Sequence, residues 1–272
     1  MYKLISFDLD GTFLDKNKNI PEINLKALEE AGKKGIELVP ATGRLYAGIP
    51  AEISSIPGIR YYILINGAKV YDAKEDKTIF TACISREMAV SLMEYAETMD
   101  CIYDAYIDDC GYMNRDMYDR FEQYVNDPVY MSYMKSIRTP VKDLKEMIRS
   151  TDCHVQKTQF FFKDLNKRSE QLKVLPELFK GIKVSSSLGT NLEINSQEAG
   201  KGTALEELCR ALGVQLCDTV AFGDGLNDKE MLEKAGLGIA MANSDEGILK
   251  MADKITDDNN SGGVGKAIFE LF

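Results

Sequence analysis

The run Lys3-Leu4-Ile5-Ser6-Phe7 passes straight into Asp8-Leu9-Asp10-Gly11-Thr12. A short apolar stretch that breaks on acids and a glycine reads as a buried strand with polar groups gathered at one end. The pattern recurs. Ile36-Glu37-Leu38-Val39 breaks at Pro40-Ala41-Thr42-Gly43-Arg44, Tyr61-Tyr62-Ile63-Leu64-Ile65 at Asn66-Gly67, and Thr219-Val220-Ala221-Phe222 at Gly223-Asp224-Gly225-Leu226-Asn227-Asp228. A helix over about 21–34 separates the first two runs, since Pro21 suits a first helical turn and Gly35 a stop. Strand, helix, strand, helix, strand is the rhythm of a parallel sheet with crossover helices, and so of an α/β fold.

From about Thr81 the rhythm changes. Helices are expected over 85–99, 115–126, 141–149 and 166–178, and strands over 101–113, 155–162, 182–187 and 192–194. This block reads as a separate α+β unit inserted into the first domain, and the βαβ rhythm returns with a helix over 201–212. The expected division is a parallel-sheet core of residues 1–82 and 189–272 and an inserted unit of 83–188. A chain of 272 residues is long enough for two compact units.

The chemistry lies in the polar clusters. In open parallel sheets the carboxyl ends of the strands are where ligands bind. Asp8 and Asp10 lie two apart at one strand end, and Asp224 and Asp228 bring two more acids from another. Carboxylates converging without a cation repel strongly, and some must then stay protonated. A hard divalent ion removes the conflict, and Mg²⁺, with few carboxylates and several waters, suits this inventory better than zinc. In such a site Asp8 can attack a phosphate ester and form an acyl-phosphate. Asp10 is placed to protonate the leaving alkoxide and then to activate water. The Thr42 hydroxyl and nearby backbone N–H groups can bind non-bridging oxygens, Lys201 supplies fixed positive charge and Asn227 a neutral donor. That local sign reversal is needed, because 33 Lys plus Arg against 43 Asp plus Glu give a formal charge of −10. The same charge disfavours non-specific binding to nucleic acid.

The series DLDGT, ATGR, a glycine-flanked Lys201 and GDGLND, in this order and over the whole chain, resembles the haloacid dehalogenase superfamily of phosphotransferases, in its Cof-type sugar-phosphatase branch. The resemblance implies a Rossmann-like core with residues 83–188 as a cap that covers the site. It implies Asp8 as nucleophile and metal ligand, Asp10 as acid/base with its carbonyl on the metal, and Asp224 and Asp228 in the Mg²⁺ shell. Leu9, Thr42, Gly43, Lys201 and Asn227 would bind phosphate, and Asn66-Gly67 would lie beside the site. The implied activity is Mg²⁺-dependent hydrolysis of small phosphorylated metabolites, hexose phosphates foremost, with flavin mononucleotide or pyridoxal phosphate also chemically acceptable. A phosphomutase, or a sensor that binds phosphorylated ligands without turnover, would use the same residues.

Competing readings of the motifs fare worse. A calcium loop starting at Asp8 needs glycine at its sixth position and Glu at its twelfth, where Phe13 and Asn19 stand. A dinucleotide loop at Gly223 would put Asp228 in place of its third glycine, and a Walker loop around Lys201 would have Gly202 where Ser or Thr is required. Lys201 taken alone is an ordinary helix-start lysine and Thr42 an ordinary N-cap; their place in the series decides for chemistry. Arg44 is read as pairing with surface acids and left out of the core site. His154 is read as structural or exposed, and Tyr103, Tyr106 and Tyr112 as packing residues of the inserted unit. The six cysteines form no C-x-x-C pair and read as reduced, mostly buried thiols of a cytoplasmic protein. No run of about 18 apolar residues is present to span a membrane.

Overall fold

The computed structural model describes residues 2–125, 128–186 and 189–272. The chain forms two compact units, Met1–Thr81 with Gly200–Phe272, and Ala82–Ala199.

The first unit opens with β1 (Leu4–Phe7), α1 (Glu22–Lys33) and β2 (Glu37–Pro40). Every residue of β1 is buried. Pro21 caps α1, Ala27, Leu28 and Ala31 form its buried stripe, and Gly35 at φ 76° lies just past its end. β1 and β2 pair in parallel from Leu4–Glu37 to Phe7–Pro40. Pro40 closes an edge strand, where a missing N–H costs least, and the next N–H, of Ala41, donates to Phe7 O at 2.8 Å. A short helix α2 (Ala51–Ser54) leads to β3 (Tyr61–Leu64), β4 (Lys69–Asp72) and β5 (Lys77–Thr81).

Here the structure corrects the simple parallel rhythm. β3, β4 and β5 form their own antiparallel sheet, joined to β2 through isolated parallel bridges at Leu38–Ile59 and Ala41–Ile63. The cause is local: Ile65, Asn66 and Gly67 all have positive φ, of 55°, 56° and 86°, which reverses the chain at once.

In the second unit α3 (Arg86–Ala96) precedes β6 (Cys101–Ile107) and β7 (Cys110–Asn114). The single strand expected over 101–113 is therefore a hairpin. Asp108 and Asp109, at φ 46° and 67°, make a two-residue turn of the kind that aspartate tolerates and that matches strand twist. The expected helix over 115–126 is cut to α4 (Arg115–Asp119) and a 3₁₀ turn at Phe121–Gln123, and Asn126 lies outside the described residues. An unanticipated α5 (Pro128–Ser136) and β8 (Arg138–Val141) follow, then α6 (Leu144–Ser150), β9 (Val155–Phe162), α7 (Leu165–Leu178), β10 (Ile182–Ser185) and β11 (Asn191–Ser196). Asp143 accepts from Glu146 N–H and so starts α6 later than expected. Ser187 and Leu188, at the ends of an expected strand and of the inserted unit, lie outside the described residues. The second boundary moves: β11 pairs antiparallel with both β9 and β10, so these hydrogen bonds hold it in the second unit and the first resumes at Gly200 rather than at residue 189.

The sheet of the second unit runs β10-β11-β9-β6-β7-β8. On it Arg138 and Asp104 form an ion pair with both side chains fully buried, and Gln159 donates to Asp104. Truncating one partner leaves the other charge buried. Arg138→Ala should lower stability by about 3–5 kcal/mol in urea unfolding, while Arg138→Met with Asp104→Leu should recover most of it. Tyr103 and Tyr106 are buried packing residues as expected, and His154 is exposed beside Asp108.

The first unit then completes its sheet with α8 (Lys201–Leu212), β12 (Thr219–Gly223), α9 (Lys229–Lys234), β13 (Leu237–Met241), α10 (Glu246–Met251), β14 (Lys254–Thr256) and α11 (Gly263–Leu271). The order is β14-β13-β12-β1-β2, with every neighbouring pair parallel. Both faces are covered: Ile5, Phe7 and Phe222 pack with Leu28 and Ile268, while Leu4 and Ala221 pack with Leu205 and Leu208. β1 and β12 are neighbours, so their carboxyl ends bring the first and last acidic clusters together.

No disulfide joins the described cysteines. Cys101 and Cys209 are buried, but Cys110 and Cys217 are exposed and Cys83 and Cys153 half-buried, against the expectation of mostly buried thiols. No helix among the described residues is long and apolar enough to cross a membrane.

Candidate active site

Asp8 stands one residue past β1, and its N–H donates to Phe222 O on β12 at 3.0 Å. The chain then curls, with Phe13 N–H on Asp8 O at 3.2 Å and Leu14 N–H on Leu9 O at 2.9 Å. Gly11 lies at φ 89°, and a Cβ there would fall 2.4 Å from Asp224 Oδ2, so glycine alone fits both demands. Thr12 donates its hydroxyl to Asp224 Oδ1 at 2.7 Å.

Asp228 holds the turn after β12: its Oδ2 accepts from the N–H groups of Asp224 and Gly225, each at 3.0 Å. Its Oδ1 accepts from Lys201 Nζ at 2.5 Å, and Asp8 Oδ1 accepts from the same ammonium at 2.5 Å. Lys201 is the first residue of α8 and is fully buried. The turn before β4 packs directly on that helix start, because Gly67, at φ 86°, leaves room where a Cβ would meet Gly200 O at 2.2 Å.

Thr42 is buried, with its N–H on Ile63 O at 2.8 Å and its hydroxyl accepting from Arg44 N–H at 3.2 Å. Asn66 links this turn to the last cluster: its N–H donates to Thr42 O at 3.0 Å, and its Oδ1 accepts from Asn227 Nδ2 at 3.2 Å. Gly43 lies against the Asn66 side chain. Leu9 is wholly buried in the apolar core, which leaves only its main chain to serve a ligand.

Asp10 stands apart from the other acids. Arg44 grips its carboxylate with two bonds, Nε to Oδ2 at 2.8 Å and Nη2 to Oδ1 at 2.7 Å, and Lys18 Nζ reaches Oδ1 at 2.6 Å. Arg44 is thus no surface pair, as the sequence reading had it. Its signal was its place directly after Thr42-Gly43. Lys18 gave no sequence signal at all.

One oxygen from each of Asp8, Asp224 and Asp228 lies within 4.8 Å of the others. Three carboxylates around one ammonium leave two negative charges uncompensated. Burial pushes the Asp8 carboxyl well above the usual range, and Asp228, Asp224 and Asp10 add to the push against Lys201. Burial and Asp228 raise Asp224 to about 6, opposed by the Thr12 hydroxyl and Lys201. Burial works against the Lys201 ammonium, but Asp228 and Asp8 outweigh it and raise its pKa. At Asp10 burial is overcome by Arg44 and Lys18, which hold the carboxyl well below the usual range. An all-oxygen donor set, buried at Asp8 and Asp228 and half-buried at Asp224, with an excess of two negative charges fits a hard divalent cation.

Residues 5–268 match the haloacid dehalogenase-like hydrolase family. The chain is 30% identical to "Phosphatase YwpJ" of Bacillus subtilis, over 99% of each chain. It is 29% identical to the "5-amino-6-(5-phospho-D-ribitylamino)uracil phosphatase YcsE" of Bacillus subtilis, over 98% of this chain and 94% of the relative. A solved haloacid dehalogenase-like hydrolase from B. subtilis superposes with a TM-score of 0.84 at 30% identity, over 99% of this chain and 100% of that one.

Proposed function

The chain belongs to the haloacid dehalogenase-like hydrolase family and is a phosphoric monoester hydrolase, and from this premise we propose that it hydrolyses small phosphate monoesters, sugar phosphates foremost, with Mg²⁺ and through an aspartyl-phosphate on Asp8. The observation that carries the proposal is the group of Asp8, Asp228 and Lys201, all buried, with the half-buried Asp224, and its excess of two negative charges. The name of one relative, which specifies a phosphorylated ribitylamino compound, supports a polyol or sugar phosphate as the class.

Asp8, Asp224, Asp228 and the Asp10 carbonyl would hold Mg²⁺, which would supply the positive charge that lets an anionic nucleophile approach an anionic ester. An Asp8 carboxylate oxygen attacks phosphorus, and the bond from phosphorus to the ester oxygen breaks. Asp10 delivers a proton to that oxygen. In the second step Asp10, now ionised, takes a proton from water as the water oxygen attacks the acyl-phosphate, which frees inorganic phosphate and restores Asp8. Lys201 fixes the ionised Asp8 oxygen. The Thr42 hydroxyl, the Leu9 and Gly43 N–H groups and the Asn227 amide bind the phosphoryl oxygens. Asp10 gripped by Arg44 and Lys18 is in the state suited to activating water. To donate its proton it must first loosen from both cations.

The test is phosphate release from a panel of sugar phosphates and phosphorylated cofactors. EDTA should lower release by at least about 10²-fold and added Mg²⁺ restore it. Mg²⁺ should also raise the thermal midpoint without substrate, because it binds the folded carboxylates and not the unfolded chain. Release that continues undiminished in EDTA would remove the metal from the proposal.

A further inference from the structure

We infer that Lys18 reads a second negative charge on the substrate, beside the leaving-group oxygen, so that among sugar, polyol and similar small phosphates those with an anionic group such as a carboxylate on the released alcohol are turned over best. The inference rests on the reading of Asp10 as the acid that serves the leaving group.

The first ground is a charge count. Asp10 carries one negative charge and is met by two cations, Arg44 at 2.7 and 2.8 Å and Lys18 at 2.6 Å. Counting the groups bonded to the Asp10 carboxylate, with Asp15 turned to the backbone of its own loop, the excess is one positive charge. The group around Asp8 has a negative excess of two, and the whole chain a formal charge of −10. A local positive excess beside the leaving group attracts an anionic alcohol more strongly than a neutral one. Arg44 is committed by its two bonds to the carboxylate and a third, from Nη1 to Gly48 O at 3.0 Å. Lys18 gives Asp10 a single bond and its side chain is 51% exposed, so it can turn to an incoming anion as Asp10 loosens to donate its proton.

The second ground is that the loop presenting Lys18 is built. Lys18 has φ 66°, a left-handed conformation that costs a lysine energy and persists only where its surroundings impose it. They do. Lys18 N–H donates to Asp15 O at 3.0 Å, Asp15 N–H to Asn19 O at 2.9 Å, and Asp15 Oδ1 accepts from the N–H groups of Asn17 and Asn19 at 2.7 and 2.9 Å. The root of the loop is pinned by two buried amides, Asn24 on Phe13 O at 2.9 Å and Asn259 on Leu14 O at 2.8 Å. Asn260 accepts from Lys16 N–H at 3.1 Å. A lysine held this firmly at its backbone, with a half-exposed side chain that reaches Asp10, is placed to meet a charge on the leaving group.

The experiment compares kcat/KM for two esters that differ in one charge, 2-phosphoglycolate and its neutral carboxamide, with Mg²⁺, in the wild type, Lys18→Met and Lys18→Arg. The wild type should favour the carboxylate. Lys18→Met should lower the carboxylate-to-amide ratio by about 10-fold, and Lys18→Arg should keep it within about 3-fold. Added salt should narrow the ratio in the wild type and leave it nearly level in Lys18→Met. A ratio equal in the wild type and Lys18→Met overturns the inference and leaves the phosphatase reading standing. So does turnover of 4-nitrophenyl phosphate without turnover of either member of the pair. No turnover of any of the three esters overturns the inference, while the phosphatase reading stands or falls on the panel of sugar phosphates and phosphorylated cofactors.

Discussion

Asp8→Asn should lose at least about 10⁴-fold in phosphate release, because an amide cannot form the acyl-phosphate on which both proposed steps depend. The protein should lose no stability with that change. Asn keeps the shape of Asp8, and Lys201 keeps its partner Asp228. Without metal the wild type stores repulsion here, since Asp8 and Asp224 both bind protons more tightly folded than unfolded. A raised carboxyl pKa means that the folded state holds more protons, so stability is full below the unfolded value near 4 and falls as pH rises through the folded one. For Asp224 that fall is centred at about 6. In EDTA the wild type should therefore weaken between pH 5 and pH 7 by chemical denaturation, and Asp8→Asn should weaken less. A variant that retains activity would displace Asp8 as the nucleophile. One that loses activity by unfolding in metal-free buffer would contradict the charge balance described for the site.

Lys201→Met should lower kcat by about 10³-fold, the scale on which a fixed, buried charge acts on a reacting group. The methionine fills most of the lysine's volume, so the loss is one of charge and not of packing. It leaves three carboxylates with no cation among them, and the Mg²⁺-induced rise in thermal midpoint should become larger than in the wild type, because the ion then relieves an excess of three negative charges instead of two. Activity and metal stabilisation should thus move in opposite directions. A lysine that merely opened α8 at the surface would show neither change.

Much of the candidate site was legible because its parts are local. A strand's end is marked in the sequence by the break from apolar to polar residues, so Asp8, Thr42 and Asp224 announced themselves by standing at such breaks. Lys201 was found through its place in an ordered series of motifs, since a lysine opening a helix carries no signal alone. Arg44 and Lys18 were misjudged or missed because their role is a distance: 34 and 8 residues of chain separate them from Asp10, and only folding brings them to its carboxylate. Asn66, weighed as a minor neighbour, ties Thr42 to Asn227 through a backbone conformation that the sequence does not display.

The same division holds for the fold. Buried parallel strands read as unbroken apolar runs, so the sequence alone determined the α/β class, the two acidic strand ends and the need for a cation between them. Tertiary structure decided what depends on partners. Only the hydrogen-bonded ladders show that β3 turns away into its own sheet, that Cys101–Asn114 folds back at Asp108, and that β11 belongs with β9 and β10. A strand's own residues fix that it is a strand and which face is apolar. Which neighbour it joins is settled by contacts far along the chain, and so is which cation meets Asp10.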